Sequence, residues 1–224
     1  MRKKLKVYLL SLNLVKKSIF DLEKKLGIKN DFIKLIAVSK LQKNDRVEAV
    51  LVDGHRIFGE NRVQEAVGKW PKFKNEFDNI ELHLLGPLQS NKVRQAMKLF
   101  DFIHTVDSVK LAKRISLIRN DIGFCPKLFI QVNTGDENQK AGICVDGLDH
   151  LIETCRKLEL PVVGLMCIPP VNENPVDHFV LLKKCAKLHN LSELSMGMSN
   201  DFEEAIRCGT TCVRVGSAIF GERL

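Results

Sequence analysis

From residue 32 onward, short apolar runs alternate strictly with longer stretches of helical periodicity. No other feature constrains the fold as much. Eight apolar runs recur: FIKLIAVS (32–39), HRIFG (55–59), IELHLLG (80–86), DFIHTV (101–106), KLFIQVN (127–133), PVVGLMC (161–167), ELSMG (193–197) and TCVRVG (211–216). Between them lie helix-like segments near 44–53, 61–76, 90–99, 107–120, 146–158, 175–190 and 201–208. Such alternation is the mark of a parallel sheet with right-handed crossovers. Eight units of it predict a closed α/β (β/α)8 TIM barrel. A glycine-rich dinucleotide fingerprint after the first strand is absent, although an open α/β sheet stays as the alternative fold. No long linker, low-complexity tract or charge block follows residue 30, so residues 1–224 read as a single domain.

An extra segment precedes the barrel. Leu5, Tyr8, Leu9, Leu12, Val15, Ile19, Leu22 and Leu26 fall three or four apart, and Gly27 follows. That pattern predicts an amphipathic amino-terminal helix within residues 1–27. The same segment explains the charge. The chain carries a formal net charge of +8, which on its face suggests nucleic acid or an anionic membrane. Residues 1–30 hold nine Lys and Arg against two acids, leaving about +1 for all the rest. A near-neutral body argues against nucleic acid as a partner, and the basic pI becomes the solvated face of one helix.

No apolar run approaches the roughly 20 residues of a membrane span. The start RKKLKVYLLSLNLV imitates a signal peptide, but Ser11 and Asn13 interrupt it and Lys16–Lys17 stand where a cleavage site belongs. Seven cysteines, an odd number without CxxC or paired metal spacing, fit a reducing compartment with mostly buried thiols. We therefore expect a cytoplasmic protein with no metal site.

The ends of the strands carry the chemistry. Barrel enzymes build their sites at the carboxyl ends. Here those ends are polar: Ser39–Lys40, Glu60–Asn61, His83, His104–Thr105, Gln131 and Asn133, Ser195, then Arg214 with Gly216–Ser217. Such a ring points to a small-molecule site on one face. Lys40 closes the first strand between apolar neighbours. Burial there would lower its pKa, as an imine-forming lysine requires. A solvent-facing lysine opening a helix is the plainer reading.

Gly216–Ser217 lies at the turn from the eighth strand into a short final helix, where barrels often bind phosphate. The preceding loop, SMGMSNDFEEAI, places Ser199 and Asn200 at a helix start, with Asp201 and Glu204 resembling a capping box. The bland account makes Gly216 a turn residue and Ser199 a cap. A lysine opposite a phosphate cradle suggests pyridoxal phosphate or a sugar-phosphate aldolase. Arg214, on the strand face of Gly216, separates these, since its guanidinium could reach a pyridine nitrogen to which it can only donate. That would weaken the electron sink used in transamination. The alternative role for Arg214 is a structural ion pair.

The strings AVSK (37–40), FGENRVQEA (58–66), LHLLGPLQSNK (82–92), IHTVDS (103–108), QVNTGDENQKAGI (131–143), GLMCIPP (164–170), LSMGMSNDFEEAI (194–206) and GTTCVRVGSAIFGER (209–223) together resemble the pyridoxal-phosphate homeostasis protein family. Its barrel is similar to the amino-terminal domain of alanine racemase. The resemblance covers residues 30–223 and implies a fold-type III barrel binding pyridoxal 5'-phosphate. It implies that Lys40 forms the Schiff base, that Ser199, Gly216 and Ser217 hold the phosphate, and that Arg214 faces the pyridine nitrogen. It also brings Asn61 and His83 to the pocket lining and Met198 close to the cofactor. Ser217 stands where threonine is frequent and Cys167 where alanine is common.

Two activities remain open. An amino-acid racemase on this scaffold needs a second base, a tyrosine from an added β-domain. The chain ends just after the eighth strand and its sole tyrosine is Tyr8, read as core. His83, His104 or Cys167 could substitute. A cofactor carrier needs only reversible imine formation and phosphate capture. The expectation is therefore a non-catalytic pyridoxal-phosphate homeostasis protein, monomeric, whose recipients would be pyridoxal-phosphate-dependent apoenzymes. A basic-arm protein that binds an acidic partner is the third reading.

Overall fold

A computed structural model describes residues 2–137 and 139–221, with side chains described from residue 9 onward. Its strands are β1 (Lys34–Val38), β2 (Ile57–Glu60), β3 (Glu81–Leu84), β4 (Phe102–Val106), β5 (Lys127–Asn133), β6 (Ile143–Cys144), β7 (Val162–Met166), β8 (Glu193–Met198) and β9 (Cys212–Val215). All pair in parallel. The order runs β4-β3-β2-β1-β9-β8-β7-β5, and β4 pairs with β5 to close the ring. This is a closed eight-stranded α/β barrel, and the open sheet is excluded. The two-residue strand β6, absent from the sequence reading, pairs only with β5 outside that ring.

The alternation of side chains explains both faces of the wall. On β3, Leu82 and Leu84 belong to the large apolar layer under the helices, with Trp70 and Phe73. His83 points the other way. Ile36, Leu85, Phe102, Phe129, Met166 and Cys212 form a separate, smaller apolar cluster inside the barrel. Strands buried on both faces read as nearly unbroken apolar runs, which is why they were visible in the sequence.

The crossovers are α2 (Asn44–Val52), α3 (Val63–Glu76), α4 (Val93–Leu99), α5 (Val109–Ile122), α6 (Leu148–Lys157), α7 (Pro175–Leu188) and α8 (Phe202–Arg207), with a short α9 (Ser217–Phe220) after the last strand. Local signals set their ends. Ser108 Oγ accepts the Leu111 N–H at the start of α5, and Gly123 ends it with φ +72°. Asn174 Oδ1 accepts the Val176 N–H where Pro175 opens α7.

Helix α1 (Arg2–Leu26) runs ahead of the barrel and packs against α2, α8 and α9. Leu12, Val15, Ile19 and Leu22 are buried, as the spacing predicts. Leu26 is not: it is exposed at the carboxyl end of the helix, as are Leu10, Leu14 and Phe20 off the stripe. The side chains of Leu5 and Tyr8 lie outside the described residues. Lys17, Lys24 and Lys25 are solvent-facing. Glu23 is buried instead, and its carboxylate accepts the Ile33 N–H at 2.7 Å and the Asp31 N–H at 3.1 Å. That carboxylate ties α1 to the entrance of β1. No helix among the described residues is long and apolar enough to cross a membrane.

Candidate functional site

A cavity of about 800 Å³ opens at the carboxyl ends of the strands. Its lining includes Lys40, Asn61, Met198, Ser199, Arg214, Gly216 and Ser217. Seven of the eight residues assigned to the site from the sequence thus converge on one hollow. Leu85, Gln42 and the Pro169–Pro170 rim also line it; these apolar and neutral groups carried no sequence signal.

His83 is the exception. It is fully buried in the barrel interior and does not line the cavity. Its ring stacks on Phe102 at 4.5 Å, one layer below the mouth. The reason is its register: His83 sits inside β3, whereas the mouth on this side is reached by Leu85, two residues later on the same face.

The predicted polar ring divides into four groups, of which His83, His104 and Ser195 lie together in the barrel interior. Lys40, Asn61, Arg214, Gly216 and Ser217 face the cavity. Ser39 and Glu60 turn outward to a buried lysine, Lys69, on α3. Thr105, Gln131 and Asn133 hold loops: Thr105 Oγ1 donates to the Gly86 carbonyl, Gln131 Nε2 to Ala141, and Asn133 Nδ2 to Glu137. Gly86 itself lies so close to the Asn61 carbonyl that any side chain would collide with it. Its bareness lets the loop after β3 press against a cavity-lining residue.

Lys40 is half-buried in the turn two residues beyond β1. Beyond the neighbouring strand β9, Ser199 Oγ accepts the N–H groups of Gly216 at 3.3 Å and Ala218 at 3.4 Å. The serine thus serves the start of α9 rather than its own helix. The expected Asp201–Glu204 capping box does not form: Asp201 Oδ1 accepts the Met198 N–H at 2.6 Å, and no side chain caps α8. Drawn back in this way, Asp201 closes a tight loop that carries Ser199 and Asn200 into the cavity.

Arg214 is 4% exposed, at the floor of the hollow. One NH group donates to Ser195 Oγ at 2.6 Å and the other to the Cys167 carbonyl at 2.8 Å. Among the described residues no carboxylate lies within 4.0 Å of it, so the structural ion pair considered from sequence is absent. Burial lowers the pKa of this guanidinium from its usual value. A buried cation without an anion is costly, and this one faces an open cavity.

Below Arg214 a polar column crosses the barrel interior. Ser195 Oγ lies 2.9 Å from His104 Nδ1, His104 Nε2 lies 2.8 Å from His83 Nδ1, and His83 Nε2 lies 2.8 Å from Glu81 Oε1. Lys34 Nζ meets the same oxygen at 2.7 Å. Burial holds both histidines below the usual range, His104 most strongly, so both rings are neutral. The protons then have one arrangement. Glu81 can only accept, so His83 donates through Nε2 and accepts at Nδ1. His104 therefore donates through Nε2, and Ser195 donates to His104 while accepting from Arg214. Sequence reading put His104 and Ser195 at the mouth; both are deeper, and their alternation with buried apolar neighbours was the available signal.

A closed barrel with its hollow at this end and these side chains around it defines a class. Residues 30–224 match the family model described as alanine racemase, N-terminal domain. An alanine racemase from Clostridium difficile has a TM-score of 0.73 at 12% identity, over 97% of this chain and 57% of that one, and shares the fold. Nearer relatives narrow the class. The "Pyridoxal phosphate homeostasis protein" of Haemophilus influenzae is 36% identical over 224 residues, covering 95% of this chain and 94% of the relative. That of Escherichia coli K12 is 38% identical over 201 residues, covering 85% and 86%. PipY of Synechococcus elongatus, solved with PLP bound, has a TM-score of 0.79 at 35% identity, over 91% of this chain and all of that one. The chain belongs to the pyridoxal phosphate homeostasis protein family.

Proposed function

We propose that this chain binds pyridoxal 5'-phosphate and takes part in its intracellular homeostasis, holding the cofactor as a Schiff base on Lys40. The observation that carries the reading is Arg214: a buried guanidinium without a carboxylate, lining a hollow that also holds a lysine just beyond the neighbouring strand β1. The hollow fits the group. Arg214 would donate to the ring nitrogen, Ser199, Gly216 and Ser217 would hold the phosphate, and Asn61 and Met198 would flank the ring. Bound here, pyridoxal phosphate supplies an aldehyde that condenses with a primary amine and releases one water.

Transfer to apoenzymes is the role that such reversible capture serves, with the protein a monomer in the cytoplasm. Non-catalytic binding is favoured over racemisation by the placement of the substitute bases. His83 and His104 are buried neutral rings spent on the interior column. Cys167 is wholly buried and burial pushes its thiol up to about 12.

Purified protein titrated with pyridoxal phosphate should turn yellow, and borohydride should fix the label on the Lys40 peptide. Lys40→Ala should abolish that label. A protein that gains neither colour nor adduct would sink the reading. Incubation with L-alanine in deuterated water tests the other activity: turnover with inversion and α-deuterium uptake would overturn the non-catalytic assignment.

A further inference from the structure

Lys69 stands on the apolar stripe of α3, three residues after Ala66 and four before Phe73, and is nearly fully buried. Its ammonium donates to the Ser39 carbonyl at 3.0 Å, to Glu60 Oε1 at 3.0 Å and to Glu65 Oε1 at 3.1 Å. Those three bonds use all its donors. Ser39 Oγ also donates to Glu60 Oε1, at 2.8 Å, as does Trp70 Nε1, at 3.0 Å. Glu65 Oε1 accepts the Leu41 N–H at 2.6 Å. The two residues adjoining Lys40 are therefore both anchored to one charged cluster. Lys40 lines the cavity, and none of the three charged residues does.

Two features suggest that this cluster governs geometry rather than stability alone. Leu41 has φ +60°, a left-handed conformation rare for a branched residue and unfavourable unless the surroundings impose it. Its side chain is exposed, so packing does not impose it. The Gln42 N–H bond to the Ser39 carbonyl at 3.2 Å closes a turn around Lys40 and Leu41 that calls for this conformation. The Glu65 carboxylate on the Leu41 N–H, with Lys69 on the Ser39 carbonyl, holds that turn in place. In addition, a buried ion cluster contributes little stability over apolar residues of the same volume, whereas it fixes directions and distances.

We propose that Lys69, with Glu60 and Glu65, is a positioning residue that sets the backbone on both sides of Lys40 and so aims its amine into the cavity. The inference rests on the reading of Lys40 as the imine-forming residue. Small misplacement of a reacting group lowers rates steeply, so release of one anchor should slow imine formation about tenfold. The phosphate contacts, Arg214 and Met198 lie on other loops and should not change, and Glu65→Ala leaves the Lys69–Glu60 bond beside Asn61 intact.

The test uses full-length Lys69→Met and Glu65→Ala with two ligands. Pyridoxal phosphate reports imine formation through its absorption and the borohydride-fixed Lys40 peptide. Pyridoxine phosphate, which lacks the aldehyde, reports the remaining contacts. The expected result is adduct formation slowed about tenfold with pyridoxine phosphate affinity unchanged. Wild-type adduct rates in the folded variants, or equal losses with both ligands, overturn the proposal. Should Lys69→Met not fold, Glu65→Ala decides alone, because it leaves the Lys69–Glu60 pair intact. Absence of any adduct in the wild type would instead refute the assignment of Lys40 itself.

Discussion

Ser195 Oγ lies 2.6 Å from the Arg214 guanidinium, both buried, the arginine at the floor of the cavity and the serine beneath it. Among the described residues the hydroxyl is the one hydrogen-bonded link between the cation at the cavity floor and the histidine column beneath it. Three strands, β3, β4 and β8, contribute to that column and β9 supplies the arginine above it, so its integrity is a property of the closed wall.

Replacing Ser195 by alanine should therefore leave two buried groups without partners, one Arg214 N–H and His104 Nδ1. Each unmet group costs about 1–3 kcal/mol. For a chain of this length each kcal/mol lowers Tm by about 2–4 °C. Calorimetry should show a drop of at least several degrees, and an unchanged Tm would refute the link.

Stability should fall on mild acidification. Burial, aided by Lys16, holds His55 at about 4, and burial holds His83 and His104 low as well. A histidine depressed in the folded state binds its proton first in the unfolded chain. Its contribution is therefore complete above about pH 6.5 and is lost as pH falls towards 4, by up to about 3 kcal/mol for His55. Glu81 acts lower still: burial raises it, but the His83 and Lys34 bonds prevail and bring it to about 2. Its contribution is complete above about 4.5 and declines towards 2. Urea midpoints at pH 7.5 and pH 5 check this; an equal or higher midpoint at pH 5 contradicts the neutral-ring assignment.

Gly86→Ala should disturb the site without touching its chemistry. The added methyl meets the Asn61 carbonyl, and relief by backbone shift typically costs about 1–3 kcal/mol. Both thermal stability and pyridoxal phosphate affinity should decrease, because Asn61 lines the cavity. Loss of stability with unaltered affinity would show that the loop yields away from the site.

Thiol reactivity should follow burial. Cys144 is exposed, whereas burial pushes Cys155 and Cys212 up to about 11 and Cys167 to about 12. Brief iodoacetamide treatment at pH 8 should label Cys144 first and leave Cys167 unmodified until the protein unfolds. Peptide mass mapping gives the order. Early labelling of Cys167 would mean that the barrel interior opens.

Much of this was legible in the sequence, and for identifiable reasons. The strands showed because both their faces are apolar, and α3 or α7 because their stripes repeat at helical spacing. Lys40, Arg214 and Ser199 stood out as polar residues at the ends of such runs. His83 was misplaced because a strand pattern gives the face of a side chain but not its depth. The capping box failed because Asp201 had a nearer donor, the Met198 N–H, that only the folded loop presents. Lys69 was overlooked although it interrupts an apolar stripe; its partners Ser39 and Leu41 come from another unit, and no local pattern records that meeting.

The column under Arg214 has one further consequence. Its donors all point from the cavity towards Glu81, so a proton added within it sets two donors head to head, and one removed leaves two acceptors face to face. It has a single admissible filling, like a row of arrows that must all agree. The aim of the guanidinium is thereby registered to the opposite end of the barrel, and the cavity floor keeps its bearing only while that whole row is in step.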